Sequence, residues 1–152
     1  MTQRNRQSND GDDIVTTMVN KINTLTPGLQ EYKIRELVED TEQLGKELAK
    51  QLKTNQIRKF LDAVNRLKAN LAKDDKKNFS VIENDLVFLK PKLAYAAARQ
   101  QKNSRDPGPV APFKQVLDAA IKQVKTTEDF DRFVQLVEAV IAYHKAAGGK
   151  DQ

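Results

Sequence analysis

The side chains best placed for chemistry in this chain of 152 residues are cations at helical spacing. Lys59 and Arg66 lie seven residues apart, and Lys73 repeats the interval, so the three fall along one outward stripe of a helix. Arg58 lies beside them and four residues before Asp62, a spacing at which the two can pair. Further along, Lys92, Tyr95, Arg99 and Lys102 recur at intervals of three, four and three. That order predicts one helix face with an aromatic ring between cations. Ammonium and guanidinium groups on rigid helices suit phosphates, and an aromatic among them offers a stacking or cation–π platform. Either stripe is also what an ordinary solvated helix face looks like. A tyrosine at such a position is more often partly buried than stacked on a base.

Other chemistry is thinly supplied. There is no cysteine, which excludes disulfides, thiol catalysis and cysteine-based zinc sites. The single histidine, His144, stands near the end of the last helical segment and reads as structural or surface. No glycine-rich phosphate loop and no serine elbow is present. Asp74 and Asp75 sit in a lysine-rich stretch and read as a solvated turn. Glu83 and Asp85 occupy helix positions that do not face each other, which makes them surface charges. We expect no catalytic residue, no metal ligand and no cofactor.

Charge is unevenly distributed. The net +5 is the sum of −2 over residues 1–52, +8 over 53–105 and −1 over 106–152, so the excess belongs to the middle third. Localised basic charge is the footprint of a polyanionic partner. No run approaches the roughly 20 apolar residues of a membrane span. The polar stretch Met1–Asp13 lacks the apolar core of a secretory signal. The composition fits a cytoplasmic protein with no membrane partner.

Apolar residues recur at three and four spacing almost everywhere and alternate almost nowhere, which predicts an all-α, compact bundle of about six helices. Segments with this pattern contain Ile14–Ile22, Ile34–Leu48, Ile57–Leu71, Phe79–Leu89, Leu93–Ala98, Phe113–Val124 and Phe130–Ile141. Thr54 and Thr126 or Thr127 are candidate N-caps, and Asn78 or Ser80 another. Pro91 either opens a helix or kinks one, and Pro112 suits a first turn. Gly45 weakens its helix by about 1 kcal/mol relative to alanine, and Gly148-Gly149 ends the last one. The organisation is a single helical domain over residues 14–147, with a flexible tail over 1–13 and a short one over 148–152.

Three runs carry a resemblance. Leu52-Lys53-Thr54-Asn55-Gln56-Ile57-Arg58-Lys59-Phe60 is followed by Val64-Asn65-Arg66-Leu67. Then come Leu86-Val87-Phe88-Leu89-Lys90-Pro91-Lys92-Leu93-Ala94-Tyr95-Ala96-Ala97-Ala98-Arg99, and finally Phe133 to Tyr143. Over residues 50–146 the chain resembles the small subunit of the type III CRISPR Csm effector complex. The resemblance implies a helical bundle without catalytic activity that stacks in several copies. It implies as partners the guide (CRISPR) RNA and target RNA, other subunits of the complex and copies of the chain itself, in antiviral defence. It maps RNA-binding contacts onto Arg58, Lys59, Arg66, Lys90, Lys92 and Arg99, to which the spacing argument adds Tyr95. Ala98 departs from the glycine common in the family just before that last arginine.

A protein that must accept any guide should touch backbones and leave base edges unread, and lysine and arginine on helices do so. The less basic flanks are then free for protein contacts, with the apolar residues of the first helix as candidates. The alternative is a helical protein–protein adaptor without direct RNA contact, whose basic centre faces an acidic partner.

Overall fold

Each helix begins and ends where local backbone chemistry allows it. The computed structural model describes residues 10–101 and 103–149. Its α-helices are α1 (Asp10–Asn23), α2 (Ile34–Leu48), α3 (Thr54–Lys73), α4 (Glu83–Val87), α5 (Leu89–Gln100), α6 (Ala111–Lys122) and α7 (Thr127–Ala146), with single 3-10 turns at Leu29–Glu31 and Phe79–Val81. Six of these helices have at least 12 residues, and α4 is little more than one turn. Among the described residues there is no strand, so the fold is all-α as the periodicity predicts. The tail expected over residues 1–13 lies outside the described residues up to Asn9, and so do Lys102 and residues 150–152.

Thr126 caps α7, its hydroxyl accepting from the Asp129 N–H at 3.1 Å. At the other end Gly148 takes φ +94, Gly149 N–H donates to the His144 carbonyl at 2.9 Å, and Gly148 N–H donates to Lys145 at 3.0 Å. This is a Schellman ending, and glycine fits it because it has no Cβ to clash at positive φ. Pro112 lies in the first turn of α6. Pro91 is the third residue of α5, where it has no N–H to offer the carbonyl of Val87, and α4 ends at that residue. Asn78 caps the 3-10 turn that follows it, its side chain accepting from Ser80 N–H at 3.1 Å. Thr54 does not cap α3. It is the first helical residue, its side chain is buried and its hydroxyl finds no partner among the described residues, so the cap position falls to Lys53.

The core runs along α7. Phe130, Phe133, Val134, Leu136, Val137 and Val140 are buried against α2, α3 and the Leu29–Glu31 turn. Helix α1 packs on α6 and α2, and α5 packs on α6. Each fully buried Phe, Leu or Ile contributes about 1.5–3 kcal/mol of hydrophobic stabilisation. Ile14, Val15, Met18 and Ile22 of α1 all belong to this core, so they are not available as a surface for other proteins. Their burial against α6 corrects that expectation. Val81, expected on an inward face, is half exposed, because the 3-10 turn there rotates it away from the Phe79 and Ile82 side chains that are buried.

Gly45 has a packing role that outweighs its weak helix propensity. A Cβ at this position would meet Tyr143 Cβ at 2.6 Å and the Tyr143 carbonyl carbon at 2.7 Å, so glycine lets α2 and α7 touch backbone to side chain. His144, one residue on, is fully buried and hydrogen-bonds through Nε2 to the Leu52 carbonyl at 2.6 Å. A carbonyl only accepts, so Nε2 carries the proton. The histidine ties α7 to the α2–α3 connection and is structural.

Candidate nucleic-acid interface

Helices α3 and α5 both line a groove of about 520 Å³. Its floor is apolar, made by Phe60, Ala63, Leu93, Ala96, Val110 and Phe113. The rings of Phe60 and Phe113 meet edge to face at 5.4 Å, which fixes the floor where α6 passes beneath. The walls carry Lys53 and Lys59 from the α3 side and Lys92 and Arg99 from α5, with Gln51, Asn55, Gln56 and Gln100 among them. At Ala63, Leu89 and Lys92 the groove runs into a smaller cleft of about 260 Å³, which Arg66, Asn70, Asp85 and Phe88 also line. One continuous depression therefore holds five cations, and Asp85 is the carboxylate that lines it.

None of these cations makes an ion pair with a described residue. Arg58, Lys59, Arg66, Lys90 and Lys92 make no ion pair and no side-chain hydrogen bond to any described residue. Arg99 only stands over the ring of its neighbour Tyr95, at 5.8 Å. Several cations elsewhere are paired. Lys21 bonds Glu36 at 3.1 Å and Asp40 at 2.9 Å, Lys114 bonds Asp118 at 2.7 Å, and the Arg132 guanidinium donates to the carbonyls of Gln30 and Tyr32. Unpaired cations raise the local potential, which a bound polyanion would relieve.

The structure brings together Lys59, Lys92 and Arg99 around the groove and adds Arg66 where it continues. Arg58 and Lys90 do not line it. Arg58 is exposed on α3 and is not paired with Asp62, while Lys90 is half-buried at the start of α5. Tyr95 is 67% exposed, so it is no core residue; it lies on the outer shoulder of α5, beside the groove and outside its lining. Lys102, the last member of that stripe, lies outside the described residues. Two lining residues escaped the spacing argument. Lys53 precedes α3 and so belongs to no stripe, and Phe88, 63% exposed between α4 and α5, has the look of a core residue in a linear reading. Asp74 accepts from the Asn78 N–H at 2.8 Å and shapes its turn, as a solvated turn residue does.

The sequence profile of the Csm2 Type III-A family matches residues 31–150. A curated relative, "CRISPR system Cms protein Csm2" of Streptococcus thermophilus, is 33% identical over 100 residues, which cover 66% of this chain and 76% of that protein. No solved structure matches the chain. The profile match takes in α2 through α7, and with them both walls of the groove and the core that holds them apart. A chain matched over that span belongs to the Csm2 family, the small subunit of type III-A CRISPR effector complexes.

Proposed function

We propose that this subunit is non-catalytic and holds the guide and target RNA of the effector complex by their backbones, stacking in several copies in the cytoplasm. The observation that carries this is the depression between α3 and α5, where Lys53, Lys59, Arg66, Lys92 and Arg99 converge without an ion pair to any described residue. Tyr95 and Arg99 widen its outer rim, and Arg58 and Lys90, on the same two helices, add cationic charge outside its lining. Cations on rigid helices position a phosphodiester chain without reading it, which a subunit serving every guide requires. Each phosphate they neutralise releases counterions, so binding weakens as salt rises. Exposed Ile34 and Val38 on α2 offer an apolar strip for the neighbouring subunits, on a helix other than those that wall the groove.

The test is a complex reconstituted with Lys59→Glu, Arg66→Glu, Lys92→Glu and Arg99→Glu together. Target capture is expected to fall at least tenfold, with the helical content and melting of the isolated subunit unchanged. Normal capture by the altered complex would leave the adaptor reading standing and remove this one.

A further inference from the structure

We infer that the smaller cleft at the α3–α4–α5 junction is a seat for one unpaired nucleotide, with Phe88 as the surface on which its base stacks. The inference rests on the proposed RNA role and adds to it the form of RNA that this end of the depression takes. Phe88 links α4 to α5 with helical backbone angles, φ −69 and ψ −10, and is held between two helices that Pro91 prevents from fusing. It is nonetheless 63% exposed, and Val87 beside it is 50% exposed. An exposed phenyl ring on an ordered junction is costly to leave in water and gains by covering its face.

What surrounds the ring selects the occupant. Arg66 on α3 and Lys92 on α5 stand on the two sides of the cleft, both without ion pairs among the described residues. Asn70 and Asp85 complete the wall with an amide and a carboxylate. A bare phosphate would pair the two cations but leave Asp85 without a donor and Phe88 uncovered, and an apolar peptide would bury the two cations unpaired. An unpaired nucleotide satisfies all of them. Its base covers Phe88, its edge lies beside Asn70 and Asp85, and its flanking phosphates reach Arg66 and Lys92. Stacking tolerates any base because every base has a π-face, so such a seat is compatible with a subunit that serves all guides. A base locked in a duplex presents no free face, so the seat discriminates pairing state and not sequence.

The experiment titrates the full chain, at low salt, against two RNA duplexes. One is fully paired; the other carries a single unpaired 2-aminopurine at its centre. The unpaired probe is expected to bind more tightly and to lose fluorescence as it stacks. Phe88→Ala should weaken binding of the unpaired duplex by about fivefold or more, the equivalent of about 1 kcal/mol of base–aromatic stacking. It should restore the fluorescence and leave the paired duplex unaffected. Phe88→Trp should retain both the binding and the quenching, while Arg66→Glu and Lys92→Glu weaken both duplexes. If the charge reversals weaken binding but Phe88→Ala does not distinguish the two RNAs, the seat is overturned and the backbone-holding role survives. If Phe88→Ala leaves RNA alone but blocks entry into the effector complex, the ring is a subunit contact and the seat is again overturned. If the unaltered chain binds neither duplex, the seat is overturned, and the RNA role stands or falls with target capture by the reconstituted complex.

Discussion

The end of the molecule built from α1, α2, the 24–33 connection and the start of α7 ties a cluster of polar side chains together internally, whereas the cations of the α3–α5 face make no ion pair with a described residue. In the first region Asp129 accepts from Gln30 N–H at 2.8 Å and Lys125 N–H at 3.0 Å, and Gln123 donates to the carbonyls of Ile22 and Leu25 at 2.7 and 3.0 Å. The Tyr32 hydroxyl donates to Asp40 at 2.6 Å, and Lys21 closes the same cluster. In the second region the cations face an open groove. Polar groups spent inside a chain specify its fold; those left over at a concave surface are what it can offer a partner. Both regions carry many charges, and it is their pairing that separates scaffold from interface.

Four perturbations break or sharpen this contrast. Phe133→Ala, at the fully buried centre of α7, should cost about 3–5 kcal/mol in chemical denaturation. Asp129→Ala should cost about 2–4 kcal/mol, because it strands the Gln30 N–H, which ties the 24–33 connection to α7, and the Lys125 N–H just before α7. Tyr32→Phe should cost about 1.5 kcal/mol, since Lys21 still holds Asp40. Alanine at Lys59, Arg66, Lys92 or Arg99 should change stability by no more than about 0.5 kcal/mol each. If a groove alanine destabilised the protein as much as Asp129→Ala, the division between the two regions would collapse.

The same cluster predicts a pH dependence. Burial, then the hydrogen bond to Asp40, raises the pKa of the Tyr32 phenol above its ordinary value. For Lys21 burial acts downward, but the hydrogen bonds to Asp40 and Glu36 outweigh it and the pKa is raised. Both groups therefore hold their protons more tightly folded than unfolded. Their contribution is complete below the unfolded values near 10 and is lost as pH climbs through the folded ones. Unfolding free energy measured from pH 9 upward should fall beyond about pH 10. The fall should be shallower in Tyr32→Phe.

Helix identity and most helix ends were legible in the residues. The caps at Thr126 and Gly148 and the first-turn prolines Pro91 and Pro112 act over about four residues, the span of one helical hydrogen bond, so a linear reading finds them. The excess of cations in the middle third was equally plain, and five of them proved to share one depression. Arg58 and Lys90 could not be told apart from these by spacing, because two residues a few positions apart differ in outlook only once a neighbouring helix claims one side. The same holds for Thr54, which satisfies the residue rule for a cap but is drawn into the interior.

Sequence alone thus determined the helical class, the punctuation and the location of the surplus charge, because each is set by neighbours in the chain or by composition. Tertiary structure alone decided that Lys53 shares a groove with Lys92 and Arg99, that Phe88 is left in water, that Gly45 admits Tyr143, and that His144 reaches Leu52 across 92 residues. These depend on how whole helices pack, and many partial packings of the same amphipathic faces are compatible with the same periodicity. Only the complete set of contacts selects one.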